Sequence, residues 1–194
     1  MNHSDHVHLI RDGIPTLSSE PGPPTWADLG SGHGAFTLAL ADLLPRAEIY
    51  SIDRDATALR EQERTMRTQF PRANVHYLSA DFTRPLDLPP LDGVLMANSL
   101  HFHRHKEPIL AQIKTLLKPG GKLLLVEYGT DRGNTWVPYP LAYPTWEKLA
   151  ARNGFTQTRL LATYPSRFLG QIYSAASETP ASPTTKYWPL NTEY

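Results

Sequence analysis

The residues best suited to chemistry in this chain lie in one short stretch, Trp26-Ala27-Asp28-Leu29-Gly30-Ser31-Gly32-His33-Gly34-Ala35-Phe36. An apolar run ends in an acid, three glycines alternate with other residues, and a run compatible with a helix follows. Because glycine has no side chain and tolerates positive φ, a ligand can approach the backbone of such a loop closely. A glycine loop between a strand and a helix N-terminus is a natural nucleotide-binding site, although an ordinary tight turn is the alternative interpretation.

Three more polar residues stand in positions equivalent to Asp28. Asp53, Asp81 and Asn98 each lie at or just past the end of a predicted strand. Because ligands of parallel sheets bind beyond the carboxyl ends of the strands, we expect these four residues to gather at one edge of a sheet. Four such positions at one edge indicate a binding site more strongly than any one of them does.

The elements that must position these residues alternate along the chain. Strands are predicted over residues 26–29, 48–52, 75–78, 93–97 and 122–127, and helices over 35–44, 55–70, 107–118 and 145–153. Alternating strands and helices indicate an α/β fold whose parallel sheet is covered on both faces. Two final strands, around residues 156–162 and 169–175, are consistent with an antiparallel pair that closes the sheet edge.

The chain is predicted to have three regions. Residues 1–24 carry a short apolar patch and form an arm or lid that packs onto the domain edge. Residues 25–176 form the main domain. Residues 177–194 are rich in Ser, Thr and Pro, which predicts a mobile tail.

Composition excludes several classes of function. The chain has 194 residues, 19 basic and 19 acidic, so no surplus of positive charge favours a nucleic-acid partner. It has no cysteine, which rules out disulfides, thiolate metal sites and cysteine nucleophiles. No apolar run reaches the ~20 residues of a membrane span, and the N-terminus lacks a signal-peptide pattern, so we expect a cytoplasmic protein with no membrane span.

Taken together, the motifs resemble those of class I, Rossmann-like S-adenosylmethionine-dependent methyltransferases of the small stand-alone type. The resemblance covers roughly residues 25–176 in the family's order, and its matching segments are 28–34, Asp53, Asp81-Phe82, 92–98 and 117–122. It implies a doubly wound, mostly parallel seven-stranded sheet with helices on both faces and an antiparallel last strand. It also implies S-adenosyl-L-methionine as cofactor and S-adenosyl-L-homocysteine as product, and it says little about the acceptor.

The resemblance assigns cofactor binding to eleven residues: Asp28, Leu29, Gly30, Ser31, Gly32, Gly34, Asp53, Arg54, Asp81, Phe82 and Asn98. The glycines would let the methionine part lie against the backbone, with Asp28 near its amino group. Asp53 would accept hydrogen bonds from both ribose hydroxyls. Asp81 would bind the adenine amino group, and Phe82 would pack beside the ring. Arg54 stands where the family commonly has an apolar residue that packs on the adenine. Its aliphatic stem or the face of its guanidinium group could pack there instead.

His101, His103 and Tyr128 are the candidate catalytic residues. Methyl transfer requires alignment, and it requires a base when the nucleophile carries a proton. Histidine has a suitable ordinary pKa near neutral pH, and both histidines follow the fourth predicted strand. Glu127 is a further candidate for a base or for positioning the acceptor. The alternatives are that His101 packs in its loop, that His103 faces water, and that Glu127 and Tyr128 make sheet-edge hydrogen bonds. The spacing of His101, His103 and His105 is not a helical metal-ligand spacing, so we expect no metal site.

The acceptor, the atom methylated and the oligomeric state stay open at this stage. A small molecule methylated at oxygen, nitrogen or carbon is the first hypothesis; a protein or RNA acceptor, or a SAM-binding protein without catalysis, are the alternatives. The stretch Asn98-Ser99-Leu100-His101 replaces the Asn-Pro-Pro-Tyr of enzymes that methylate amino groups of DNA, RNA or glutamine. Four aromatic residues could form a wall for an apolar or planar acceptor, and structural packing is the alternative interpretation: Trp136, Tyr139, Tyr143 and Trp146.

Overall fold

The computed structural model describes residues 1–15 and 22–181, which form a seven-stranded sheet of order β3-β2-β1-β4-β5-β7-β6. The strands are β1 Thr25–Leu29, β2 Glu48–Asp53, β3 Asn74–Ser79, β4 Leu91–Ala97, β5 Leu117–Tyr128, β6 Thr156–Ser166 and β7 Gly170–Glu178. Strands β1 to β5 pair in parallel, whereas β7 is antiparallel to both β5 and β6. The predicted mostly parallel sheet with an antiparallel last strand is confirmed.

Five α-helices cover this sheet within the described residues: α1 His3–Ile10, α2 Ala35–Leu43, α3 Ala56–Gln69, α4 Glu107–Leu116 and α5 Tyr143–Arg152. Helices α1, α2 and α3 contribute to one apolar core cluster, and α4 and α5 contribute to another. The two clusters lie on opposite faces of the sheet, because side chains alternate between faces along each strand. The fold is therefore doubly wound. No helix in this part of the chain is long and apolar enough to cross a membrane.

Local sequence signals explain the bounds of α3. The carboxylate of Asp55 accepts hydrogen bonds from the N–H groups of Thr57 and Ala58, so Asp55 is the N-cap that the sequence predicts. These two bonds hold the pKa of Asp55 below its ordinary value. The helix ends at Gln69, two residues before Pro71, which cannot continue it.

The start of β5 differs from its prediction. The preceding helix ends at Leu116, and the strand already begins at Leu117 rather than at Lys122. Leu117 pairs with Leu91 and Lys122 pairs with Gly93, so residues 118–121 bulge opposite a single residue of β4. Gly120 has φ +76° in this bulge, a conformation that glycine adopts without strain.

The described part of the N-terminal arm is an integral part of the core. Asn2 caps α1 through a reciprocal pair of hydrogen bonds with Asp5. Leu9 and Ile10 are completely buried, and α1 packs against α2 and β6. Complete burial of an aliphatic side chain stabilises a fold by about 1.5–3 kcal/mol. Burial of these side chains therefore stabilises the packing of α1 against the rest of the domain.

The predicted boundary at residue 176 is too early. Strand β7 continues to Glu178, and the next residue, Thr179, is buried. The Thr179 hydroxyl donates to the Lys118 carbonyl oxygen at 2.7 Å, which ties this segment to the bulge of β5. Residues 182–194, the rest of the predicted tail, lie outside the described residues.

Candidate active site

The predicted cofactor residues gather at one edge of the sheet, because β3, β2, β1 and β4 are parallel neighbours. The N–H groups of Gly30 and Ser31 both donate to the carbonyl oxygen of Ile52, at 2.8 and 3.1 Å. The Gly32 N–H donates to Asp53 Oδ2 at 2.8 Å. The Ala80 N–H donates to the Asp53 carbonyl oxygen at 3.1 Å. These contacts bring the glycine loop, Asp53 and the end of β3 together.

Each glycine of the loop has its own reason to lack a side chain. Gly30, Gly32 and Gly34 have φ of +76°, +54° and +81°. A Cβ on Gly30 would lie 2.5 Å from Ser99 Cβ, and one on Gly34 would lie 2.1 Å from Gln62 Cγ. A Cβ on Gly32 would meet nothing within 4 Å. A side chain at Gly30 or Gly34 would thus overlap other side chains of the protein, whereas Gly32 faces open space.

A cavity of about 240 Å³ opens beside this loop. Its lining includes five of the predicted cofactor residues, namely Asp28, Gly30, Ser31, Gly32 and Asn98. The other lining residues come from the arm, the loop and its flanks: Met1, His6, His33, Ala35, Phe36 and Ala97. Two buried oxygen atoms in the lining, Asp28 Oδ1 and Asn98 Oδ1, have no hydrogen-bond partner. Asn98 has φ +53° at the end of β4, a conformation typical of residues at functional sites.

A buried polar network supports the loop from behind. The Thr37 hydroxyl donates to Asp28 Oδ2 at 2.6 Å, and Gln62 Nε2 donates to Thr37 Oγ1 at 3.3 Å. Ser51 Oγ donates to Gln62 Oε1 at 2.6 Å and lies 2.8 Å from Ser31 Oγ. Burial raises the pKa of Asp28 to about 7, the Thr37 hydrogen bond opposes this, and the Asp53 charge adds to it.

Leu29 and Asp53 stand outside the cavity lining. Leu29 is completely buried, and its carbonyl oxygen accepts the Ser99 hydroxyl at 2.8 Å. Asp53 Oδ1 accepts the Asp55 N–H at 2.8 Å, so both carboxylate oxygens of Asp53 hold backbone groups. Each oxygen keeps a lone pair for a further donor.

A second group of predicted site residues lies near the glycine loop and consists of Asp81, Phe82, Arg54 and His103. Asp81 Oδ1 accepts from the Thr83 N–H and hydroxyl, and these bonds lower the pKa of Asp81. The Phe82 ring lies beside Gly30 and meets the His103 ring edge-on, with centroids 5.2 Å apart. Burial lowers the pKa of His103, with the Asp81 charge opposing and the Arg54 charge adding to the effect.

His101 and Glu127 form a buried pair on neighbouring strand ends. His101 is 3% exposed and Glu127 0% exposed, and His101 Nδ1 lies 2.9 and 3.0 Å from the two carboxylate oxygens. Because a carboxylate can only accept hydrogen bonds, the pairing places the proton on Nδ1. Nε2, which makes no hydrogen bond to the described residues, then carries the free lone pair. This geometry orients a histidine for proton transfer.

The backbone around this pair is held by a buried cation. Lys106 Nζ donates to the carbonyl oxygens of His103 at 2.8 Å and Tyr139 at 2.9 Å. The Tyr139 N–H in turn donates to the His101 carbonyl oxygen at 2.9 Å. Burial lowers the pKa of Lys106, and the Glu127 charge opposes that shift.

Two aromatic rings lie close to the ring of His101. Its ring lies 4.3 Å from the Phe102 ring and 5.8 Å from the Tyr128 ring. Tyr128 lies 5.9 Å from Phe168, in the turn between β6 and β7. Phe102 and Phe168 are 57% and 49% exposed. Burial and the neighbouring Glu127 raise the pKa of Tyr128, so its phenol stays protonated near neutrality.

The aromatic residues of the predicted wall do not share one surface. Trp146 is completely buried in the core on the α5 side, so structural packing, the alternative interpretation, accounts for it. Tyr139 contacts His101 through its backbone, and Trp136 is 73% exposed. Across residues 1–15 and 22–181, no three His, Asp or Glu side chains come together in a group that could hold a metal ion.

Sequence reasoning missed three residues that shape this site. Gln62 is polar among the buried positions of α3, a signal that could have identified it. Phe168, in the turn between β6 and β7, approaches Tyr128 from a distant part of the chain. Buried Lys106 donates to the carbonyl oxygen of Tyr139, which is 33 residues away. No local pattern indicates either contact.

Comparison with known proteins identifies the family to which this chain belongs. The family model described as "Methyltransferase domain" matches residues 27–123. A release factor glutamine methyltransferase from Moorella thermoacetica is 35% identical over 135 residues, which are 56% of this chain and 47% of that protein. The reducing polyketide synthase grgA from a Penicillium species is 26% identical over 179 residues, 79% of this chain and 7% of that protein.

Solved structures show the same fold. The CurJ carbon methyltransferase superposes with a TM-score of 0.73 at 21% identity, over 93% of this chain and 54% of that one. The chain thus spans about half the length of the release factor enzyme and a small part of the polyketide synthase.

Proposed function

The chain belongs to the family of S-adenosylmethionine-dependent methyltransferase domains, and from this premise we propose that it methylates a small-molecule acceptor that first loses a proton to His101. The observation that carries the proposal is the buried pair of His101 and Glu127 beside the cofactor edge of the sheet. S-adenosylmethionine, when bound, supplies a methyl group on a positively charged sulfur that is already activated for displacement. The protein contributes alignment and proton removal.

The residues around the cavity fit this cofactor. Asp28 Oδ1 and Asn98 Oδ1 are buried acceptors without donors, and an ammonium group is a donor that suits both. Gly32 leaves its side-chain position open toward the cavity. Asp53 and Asp81 would hold the ribose and the adenine, and Phe82 and Arg54 would flank the ring. The remaining loop residues of the predicted set, Leu29, Gly30, Ser31 and Gly34, would shape the backbone.

His101 is the better candidate base of the two histidines. Its Nδ1 is bound to Glu127, its backbone is held by Tyr139, and its other ring nitrogen is available for a proton. His103 instead lies against Phe82, on the side proposed for adenine. A Tyr128 phenol that keeps its proton would donate a hydrogen bond to the acceptor rather than act as the base.

A carbon acceptor next to carbonyl groups suits this arrangement best. Such a carbon must lose a proton before it can attack, and a histidine held by a buried carboxylate can remove it. The aromatic rings near His101, with exposed Phe102 beside it and exposed Phe168 beside Tyr128, favour an apolar acceptor. The names of two of the matched proteins, a polyketide synthase and a carbon methyltransferase, support the same proposal.

A protein glutamine acceptor is less well supported, despite the 35% identity with the release factor enzyme. The sequence after β4 is Asn98-Ser99-Leu100-His101, without the Asn-Pro-Pro-Tyr of enzymes that methylate amide nitrogens.

The test separates cofactor binding, proton removal and methyl transfer. Calorimetry with S-adenosylhomocysteine measures binding, and Asp53→Ala should weaken it. An acetoacetyl thioester, a phenol and an amine serve as acceptors with S-adenosylmethionine carrying a labelled methyl group. Proton removal is followed as enzyme-dependent exchange of the thioester's acidic C–H with D₂O in the presence of S-adenosylhomocysteine.

His101→Ala should lower both exchange and transfer by between about a hundredfold and ten-thousandfold, the usual contribution of a general base. Glu127→Gln should lower both rates less, and neither substitution should change the affinity for S-adenosylhomocysteine. His105→Ala, an exposed histidine on the same loop, is the matched control and should change nothing. Unchanged turnover in His101→Ala would refute the assigned base, and failure to bind S-adenosylhomocysteine would refute the proposed function.

A further inference from the structure

Asp28 is a buried acid with an unusual hydrogen-bonding arrangement. It is 1% exposed, and the bond from Thr37 to Oδ2 is the one hydrogen bond that its side chain makes to the described residues. Gln62 Nε2 donates to the Thr37 oxygen, so the Thr37 hydroxyl proton is left to point at Asp28. Oδ2 is thereby committed as an acceptor. A proton carried by Asp28 therefore resides on Oδ1, the oxygen without a partner on a residue that lines the cavity.

None of the groups that face Asp28 neutralises it. From α1, His6 lines the cavity; burial is the main cause that lowers its pKa, so it is uncharged near neutrality. From the glycine loop, His33 is exposed and lies 3.1 Å from Glu61. From β2, Asp53 brings a second negative charge. Met1 lines the cavity too and is half exposed. Among the described residues Asp28 has no ion pair, which explains why burial raises its pKa to about 7.

We propose that Asp28 exchanges a proton for an ammonium group: it holds a proton on Oδ1 before binding and releases it to solvent when the ammonium of a ligand takes that position. This inference rests on the proposed function, which places the amino group of the cofactor's methionine part in this cavity. The exchange conserves charge in the buried site, because one positive charge leaves as another arrives. Asn98 Oδ1 would accept a second N–H of the same ammonium.

The exchange makes Asp28 a determinant of ligand specificity. A ligand that lacks the amino group has nothing with which to displace the proton, so it gains nothing from the ionised carboxylate. For a carboxyl that titrates at about 7, a ligand that binds only the ionised form should bind about tenfold more tightly at pH 8 than at pH 6. A ligand without the amino group should show no such increase.

Calorimetry in two buffers of different ionisation enthalpy measures the released proton directly. At about pH 6.5, S-adenosylhomocysteine should release roughly three-quarters of a proton on binding. The matched ligand is 5′-methylthioadenosine, which has the same adenosyl group without the amino acid, and it should release none. Asp28→Asn should abolish the release with S-adenosylhomocysteine, whereas His6→Gln should keep it.

The outcomes separate this inference from the proposed function. Binding of S-adenosylhomocysteine with no proton release, or with equal release by both ligands, overturns the exchange and leaves the proposed function standing. Release that persists in Asp28→Asn also overturns it, because another group must then titrate. If neither ligand binds at any pH, the proposed function itself fails. Should Asp28→Asn not fold, the comparison of the two ligands on the unsubstituted protein still decides.

Discussion

The stability of Asp28→Asn relative to the wild type should increase as the pH rises from 5 to 8. The carboxyl of Asp28 is completely buried and has a pKa raised to about 7, against 3.8 in the ordinary case. The folded state therefore holds a proton that the unfolded state has already lost. The contribution of this proton to stability is full below the unfolded pKa and is lost as the pH rises through 7. Asparagine keeps the shape of the side chain and does not ionise.

The expected size follows from the shift. About three pKa units at 1.36 kcal/mol each give a total penalty of roughly 4 kcal/mol once Asp28 is ionised in the fold. Part of this penalty already applies at pH 5. Between pH 5 and pH 8 the free energy of unfolding of the wild type should therefore fall by about 2 to 3 kcal/mol relative to that of the variant. The amide of asparagine leaves its own buried donor unpaired, which costs about 1 to 3 kcal/mol at every pH. The pH dependence of the difference is therefore the diagnostic quantity.

The assay is urea unfolding of both proteins, without cofactor, at several pH values from 5 to 8. All other titrating groups are common to the two proteins, so their contributions cancel in the difference. Asp87→Asn, at an exposed aspartate, is the matched control for the chemical change itself. The difference in free energy of unfolding between Asp28→Asn and the wild type could instead stay constant with pH. This carboxyl would then ionise in the fold as readily as in the unfolded chain, and the reasoning about its burial would be refuted.

Two further substitutions test the loop and the aromatic surface. Gly34→Ala should destabilise the fold by about 2 to 4 kcal/mol, because its Cβ overlaps Gln62 at positive φ. The Cβ added by Gly32→Ala meets no atom within 4 Å, so this substitution should lower the free energy of unfolding by only about 1 kcal/mol, from its φ alone. Equal losses of stability for the two variants in urea unfolding would contradict the difference in space around the two glycines. Phe168→Ala should raise KM for the acceptor several-fold while the affinity for S-adenosylhomocysteine stays the same. Leu160→Ala, similarly exposed on β6, should leave both constants unchanged, and a parallel effect of the two would argue against an acceptor surface at Phe168.

The gathering of the candidate residues at one edge of the sheet could be predicted because its signals are local. Asp28 and the glycines mark a strand followed by a tight loop, and Asp53, Asp81 and Asn98 each follow an apolar run. Parallel pairing then brings all strand ends to one edge, whatever the details of packing. Local signals also predicted the helix that begins after Asp55, since cap and stop residues act within a few positions.

Predictions that required knowledge of packing were less accurate. The aromatic residues between 129 and 146 look alike in sequence, yet Trp146 lies in the core and Trp136 lies at the surface. The apolar patch of the arm indicates contact with the domain without revealing that Leu9 and Ile10 are completely buried. Burial depends on which surface each element meets, and that information is spread over distant parts of the chain.

By itself, the sequence determined the order of strands and helices, the family resemblance and the glycine loop, because hydrophobic periodicity and glycine conformations are properties of short segments. Only the tertiary structure decided which of His101 and His103 meets a buried carboxylate, and which oxygen of Asp28 is left without a partner. Both outcomes depend on side chains from separate elements meeting in a space that water does not reach. In such a space the loss of solvation and one or two neighbours determine the chemistry of each group.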